Sequence, residues 1–342
     1  MARPNAQQRQ INALLSRLEP SVQEAFNVAI QAARRQVNIT ALIEALDRGD
    51  LGAAVRLLQL PQGVLFPLED AIRSAYVEGG KMVAIAAPSA LIGFNGSTPG
   101  AVAWLQELSS TRIQGIVDDT LEATRAALVA GREQGMGSRA IARMITGTKQ
   151  GTQRVGGILG LTTQQADSIM GKYDDAGRLI SMGGRQKLAS GDPRLMREYL
   201  NLKLRDRRYD AQIKKAIAEG RAITGPALDK IMDAHKSKAL AYRGKLIAKN
   251  ETFSALEAGR MEAMGQALAN PDVEGVSVKW QHNLSEFPRE DHVAMSGTVI
   301  QIGEYFVFPD GARMKHPHDP AGGARHSVGC RCIAIYRVRM RV

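Results

Sequence analysis

From about residue 6 to 130, apolar positions recur at three- and four-residue steps, the spacing that holds them on one face of an α-helix. Leu68, Ile72, Ala75, Tyr76 and Val83 form one such stripe. Gly79 and Gly80 within it permit close packing against a neighbour, and Pro88 is expected to end the helix. The segment Phe94-Asn95-Gly96-Ser97-Thr98-Pro99-Gly100 reads as a loop, because glycine, asparagine and proline all favour turn geometry. A second stripe through Trp104, Ile113, Ile116, Leu121 and Leu128 has Asp118, Asp119, Glu122 and Arg125 on its water side, and Gly131, Gly135 and Gly137 close it. Short helices are predicted near Ser138, carrying Ile141, Met144 and Ile145, and after Thr162, where Gln165 stands at the capping-box spacing. From Pro226 to about Leu268 the pattern predicts one long helix or two joined ones, apolar at Leu228, Ile231, Met232, Tyr242, Leu246, Leu256 and Met264. His235 falls on or beside that stripe and reads as a hydrogen-bonded structural residue.

After Asn270-Pro271 the period changes. Val276, Val278 and Trp280 alternate with polar residues, and Val299-Ile300-Gln301-Ile302 and Tyr305-Phe306-Val307-Phe308 are rich in strand formers. The predicted class is therefore α+β, a mainly α-helical body with a small C-terminal β-containing domain. The expected organisation is an N-terminal helical region over 1–90, a basic helical body over 91–271 and a small α+β domain over 272–342. A chain of 342 residues is long enough for more than one core.

Composition adds a charge argument. The formal net charge is +11, so polyanions are drawn to the surface in a salt-dependent way. Between residues 194 and 249 fifteen lysines and arginines stand against six acids. Arg205, Arg207, Arg208, Lys214 and Lys215 are the candidates here for contact with nucleic acid or an acidic partner, if they converge; the plainer reading is a solvated helix face. No stretch has the roughly 18 uninterrupted apolar residues of a membrane span, and Met1-Ala2-Arg3-Pro4 lacks the apolar core of a signal peptide. No membrane partner is expected, and the protein is expected in the cytoplasm where it is made.

The chemistry-bearing residues crowd into the last domain. Five of the six histidines (His282, His292, His316, His318, His326) and both cysteines, Cys330 and Cys332, lie there. In an extended chain residues two apart face the same way, so Cys330 and Cys332 share a side with Ala334, Tyr336, Val338 and Met340, opposite Arg331, Arg337, Arg339 and Arg341. Soft thiolates with imidazoles suit a structural zinc. The candidate ligands are His292, Cys330 and Cys332 with a fourth from among His316, His318 and His326, foremost His326 or His316. The alternative is that both cysteines are small core residues on a buried strand face. A cysteine–histidine nucleophile pair lacks a local signature. A histidine-metal nuclease, using Asp291-His292 or His316-Pro317-His318-Asp319, is the enzymatic alternative for a basic protein.

Taken in order, Arg289-Glu290-Asp291-His292, Ser296-Gly297, His316-Pro317-His318-Asp319-Pro320 and Cys330-Arg331-Cys332 resemble the C-terminal signature of Mu F-like minor head proteins, the phage head morphogenesis family. Ile247-Ala248-Lys249-Asn250-Glu251-Thr252 is similar to the family's Ile-Ala-Arg-Thr-Glu element, and Gly135 to Gly147 and Gly160-Leu161-Thr162 look like its short helical turns. Gly329 stands where the family usually has asparagine before Cys-x-Cys. The resemblance covers about residues 90 to 336. It implies a non-enzymatic minor capsid protein of a tailed double-stranded DNA phage, found in the virion head and, during assembly, in the host cytoplasm. The implied partners are the portal protein and the major capsid or scaffolding protein, with double-stranded DNA nearby.

Overall fold

A computed structural model describes residues 5–61, 63–82, 93–283 and 288–341. The class is α+β, with helices forming the body and antiparallel strands concentrated towards the C-terminus. The chain forms two compact units, each assembled from non-adjacent stretches: Met1–Ala25, Pro67–Ser110 and Lys245–Val342 in one, Phe26–Phe66 and Thr111–Gly244 in the other. Two helices, Ala6–Gln36 and Gly225–Leu268, each contribute residues to both. The sequential divisions at 90 and 271 both fall inside the first unit, because a helix that leaves one core and enters another carries no turn to mark the change.

In the second unit the local signals are realised as written. Asn38 caps Ile39–Asp47 by accepting from the Ala41 amide, and Asp50 caps Leu51–Leu57 in the same way. Thr162 and Gln165 form the full reciprocal capping box of the helix Thr163–Met170. The helix Gln114–Glu133 differs in one respect. Its buried face is Thr120, Ala123, Thr124, Ala127 and Leu128, whereas Leu121 is only half-buried. Small residues let a neighbour come close, and the two threonine hydroxyls donate to carbonyls one turn back, Thr120 to Ile116 and Thr124 to Thr120. Asp119, expected in water, is paired with Arg243 at 2.9 Å. Two small hairpins, Thr148–Gln150 with Gln153–Val155 and Lys172–Tyr173 with Leu179–Ser181, also sit in the body, where only helices are predicted.

The first unit holds the C-terminal domain. A three-stranded antiparallel sheet has Val273–Gln281 in the centre, flanked by Val299–Gln301 and Ile333–Met340. The predicted alternation holds: Val276, Val278 and Trp280 are buried and pair in register with Val338, Tyr336 and Ala334. Cys330 and Cys332 lie just before the last strand and join the same core, with Phe306, Phe308 and Met314 over it. The opposite face of that strand is not solvated throughout. Ile333 and Ile335 pack with Ile11, Leu15, Met82, Phe253 and Leu256 in a second cluster, so only its outer half, at Arg337 and Arg339, is amphipathic.

The N-terminal helix is fastened to this strand by Gln7, whose amide donates to the Tyr336 carbonyl at 2.9 Å and accepts from the Tyr336 amide at 3.2 Å. It thus pairs with the strand as another backbone would. The helix Phe66–Lys81 packs against the long helix so tightly that a Cβ at Gly79 would run into the Leu256 carbonyl, and one at Gly259 into that of Tyr76. Val83 and Pro88 lie outside the described residues.

Candidate metal centre

His292 sits on the five-residue helix Glu290–Ala294, packed edge-on to Trp280 with ring centroids 5.4 Å apart. Trp280 is fully buried at the core of the sheet, so the strand alternation that buries it also sets the position of the imidazole. Cys330 and Cys332 reach the same point from the other side. The Nδ1 atom of His292 is 3.4 Å from the Cys330 Sγ and 3.5 Å from the Cys332 Sγ, and all three ligand atoms lie within 4.8 Å of one another. The three residues are 2, 4 and 2% exposed.

These distances decide between a hydrogen bond and a ligand set. One N–H can point at one sulfur, yet the nitrogen is nearly equidistant from two. Bond lengths of about 2.3 Å to sulfur and 2.0–2.1 Å to nitrogen, at a tetrahedral angle, put the nitrogen–sulfur edge at roughly 3.6 Å. The residues therefore fit a metal ion.

The thiols are also electrostatically split. The pKa of Cys330 is raised, first by its neighbour Cys332 and then by burial, while that of Cys332 is lowered by Cys330 against the opposing effect of its own burial. The indole of Trp280 and the backbone of Asn283 lower Cys332 further. The Cys332 amide points at the Cys330 Sγ at 3.3 Å. An amide donor at sulfur stabilises thiolate, the form that binds metal.

The other nitrogen of His292 faces away from the sulfurs. Its Nε2 is 3.2 Å from the Nδ1 of His326, and the Nε2 of His326 is 2.9 Å from the Asp310 carboxylate. One tautomer satisfies the whole chain: His326 donates to Asp310 and accepts from His292, which leaves the Nδ1 of His292 with a lone pair for the metal. Asp310 is held below the usual carboxylate range, first by His326. His326 thus supports His292 from behind, a carboxylate–histidine arrangement common behind metal ligands. His316 is turned elsewhere, its Nδ1 2.8 Å from the Pro317 carbonyl and its ring close enough to act on the buried Glu257 carboxyl.

The structure brings together the predicted trio and gives both named fourth ligands other partners. Asp310 escaped sequence reasoning because nothing marks it apart from other loop aspartates; only the fold carries it to His326. A second grouping, Asp291, His292 and His326, shares two of these residues.

The basic residues behave otherwise. Arg205 makes a two-pronged pair with Asp210 at 2.9 and 2.8 Å, Arg208 pairs with Asp206 at 2.6 Å, and Lys215 reaches Glu219 at 3.8 Å. Arg207 and Lys214 are exposed and have no ion pair among the described residues. His235 is buried edge-on to Tyr199, and its Nδ1 has no hydrogen-bond partner among the described residues. Among the described residues no helix is long and apolar enough to cross a membrane.

No protein-family model matches the chain, and no solved structure matches it. Among curated proteins the chain is similar to the uncharacterized protein YqbB of Bacillus subtilis (strain 168), 32% identical over 94 residues, which span 27% of this chain and 29% of that protein's length.

Proposed function

We propose that this chain is a non-enzymatic minor head protein of a tailed double-stranded DNA phage, one that associates with the portal or the head interior and aids head assembly, DNA packaging or DNA delivery. One observation carries the reading. Segments that the Mu F-like resemblance groups only by their order, 289–292 and Cys330-Arg331-Cys332, meet at a single buried centre. In this reading a structural zinc held by His292, Cys330 and Cys332 ties the short helix to the last strand. When bound, the ion supplies cross-linking free energy to a domain of short strands and turns, since binding to a site absent from the unfolded chain is folding free energy.

The donor set favours this role over a histidine-metal nuclease. Two soft thiolates in a buried site suit a fastening ion, whereas hydrolytic sites leave a coordination position open to water and substrate. The portal and the major capsid or scaffolding protein are the expected partners, with packaged DNA close by, and the virion head is the expected location.

Mass spectrometry of purified virions and procapsids tests the proposal, together with pull-down of portal by the full chain after nuclease treatment. Presence in the particle and DNA-independent capture of portal are the expected results. Absence from both particles refutes it. Nicking of supercoiled plasmid with magnesium, manganese or zinc, lost in His292→Ala, would transfer the chain to the enzymatic alternative.

A further inference from the structure

The outer face of the three-stranded sheet changes character halfway along the last strand. Near Cys332 it is apolar, and Ile333 and Ile335 are covered by Ile11, Leu15, Met82, Phe253 and Leu256. Beyond them the strand turns to Arg337 and Arg339, which are exposed. Register fixes which residues share this bare part, because directly paired residues of antiparallel strands point to the same side. Arg337 stands opposite Ser277 and Ser277 opposite Gln301, Arg339 stands opposite Gly275, and Lys279 lies between Ile335 and Val299. The middle of the face is therefore low, built of Gly275 and Ser277, and long cationic side chains rise around it. A Cβ on Gly275 would lie 3.7 Å from the Arg339 guanidinium and 4.0 Å from the Gln301 carboxamide oxygen, so both side chains lean over the glycine.

The charge on this face is of one sign. By register no acidic residue belongs to it, whereas solvated surfaces usually intersperse both signs. Lys279 and Arg337 have no ion pair among the described residues, and Arg339 has Glu274 at 2.8 Å, an exposed pair that salt screens. Glu304, at the margin, is held by the Gln301 amide at 2.7 Å. The face also lacks an aromatic ring on which an unpaired base could stack.

We propose that this face docks on the phosphate backbone of double-stranded DNA. Charge complementarity carries the assignment. Same-side neighbours along a strand are about 6.6–6.8 Å apart and diagonal neighbours across strands about 7–8 Å, so the three cations span roughly 15 Å. Over that length one strand of a duplex presents about four phosphates, and guanidinium groups hold phosphate oxygens in pairs. Such contacts position a protein on a duplex without reading its sequence. The choice of double-stranded DNA rests on the head-protein reading above, whereas the convergence of the cations rests on strand register alone.

The test is binding of the full chain to a fluorescent duplex of arbitrary sequence, measured by anisotropy over a range of salt concentrations. Affinity should fall steeply as salt rises. Lys279→Gln/Arg337→Gln/Arg339→Gln should bind at least about 10-fold more weakly and lose about 2–3 from the slope of log affinity against log salt, near 0.9 for each contact removed. Arg337→Lys/Arg339→Lys, which keeps the charge, should keep the slope. Ser277→Glu sets a carboxylate in the middle of the face and leaves the core untouched; it should weaken binding as well, and it decides the matter if the triple variant does not fold. Unchanged affinity and slope in Ser277→Glu and in a folded triple variant would overturn the proposal. So would displacement of the duplex by polyglutamate of equal charge as readily as by unlabelled DNA, which would give the face to an acidic protein. Weakened binding in these variants of a chain that is absent from virions and procapsids would uphold the surface and refute the head-protein reading. Presence in the particles with binding unchanged by the substitutions would do the reverse.

Discussion

Two parts of the chain concentrate unusual residues, and folding treats them in opposite ways. His292, Cys330 and Cys332, far apart in the chain, are gathered to one buried point, whereas Arg205, Arg208 and Lys215 are drawn into separate local pairs with Asp210, Asp206 and Glu219. The difference lies in the cost of burial. Thiols and imidazoles carry lone pairs that can converge on one point, and a metal ion would offset the desolvation of all of them together. Guanidinium and ammonium groups repel, stay charged, and enter the interior only one at a time with a dedicated partner. The cations that do go inside in this stretch and before it obey that rule. Arg34 spans the carbonyls of Gly157 and Leu159, Arg243 reaches Thr120, Gly160 and Asp119, and Lys236 pairs with Asp233 at 2.8 Å. Part of the formal excess of positive charge is thus internal structure. The external candidates reduce chiefly to Arg207 and Lys214.

The sharpest way to break this contrast is to remove the metal. Extraction with a strong chelator, or Cys332→Ser, should lower the thermal stability of the first unit by more than the roughly 2–5 kcal/mol of an ordinary cavity-forming core substitution. Calorimetry with and without chelator reads the effect, and equal melting temperatures would reduce the cysteines to core packing.

Next in size is the internal cation. Arg243→Ala strips partners from buried carbonyl and hydroxyl groups and leaves Asp119 unpaired. A loss of about 3 kcal/mol or more is expected in denaturant unfolding. A loss under about 1 kcal/mol would show that the stretch is decorative and not structural.

His235 offers a pH-dependent counterpart. Burial, with the charges of Lys236 and Arg205 nearby, lowers its pKa from 6.5 to about 4. The folded state therefore prefers the neutral ring. Its stabilising contribution is complete above the unfolded pKa of 6.5 and is lost as pH falls from there to about 4. The stability gap between wild type and His235→Phe should narrow over that window by about 3 kcal/mol. A constant gap would mean that the ring titrates in the fold as it does in the unfolded chain, with no shift from burial.

The smallest effect concerns DNA. If the basic stretch touches DNA, charge reversal at Arg207 and Lys214 should weaken retention and flatten the slope of log affinity against log salt by up to about 2. Reversal at Arg205, already committed to Asp210, should cost folding stability in place of DNA affinity. Unchanged retention in the double variant would assign the whole stretch to a solvated face.

Much of the fold is legible in the order of residues because the relevant forces are local. The capping box at Thr162 and Gln165, the turn at Asn95 to Pro99 and the alternation Val276, Val278, Trp280 need only near neighbours. The two small hairpins in the body were not legible, since their strands are two or three residues long and carry little periodicity. Nor was the double burial of the last strand at Ile333 and Ile335, which depends on a helix more than three hundred residues earlier.

The candidate centre divides in the same manner. The sequence alone determined that His292, Cys330 and Cys332 belong together, through residue types suited to one ion and a Cys-x-Cys spacing that turns both sulfurs to one side. Only tertiary structure decided which nitrogen of His292 meets the sulfurs, that Asp310 and His326 stand behind it, and that His316 turns to the Pro317 carbonyl while His318 stacks on Phe253. Those choices depend on ring orientation and on the handedness of one backbone turn, and neither is encoded in spacing. They are set by packing against Phe253, Trp280 and Phe308, contributed by a helix, a strand and a loop that lie far apart in the chain.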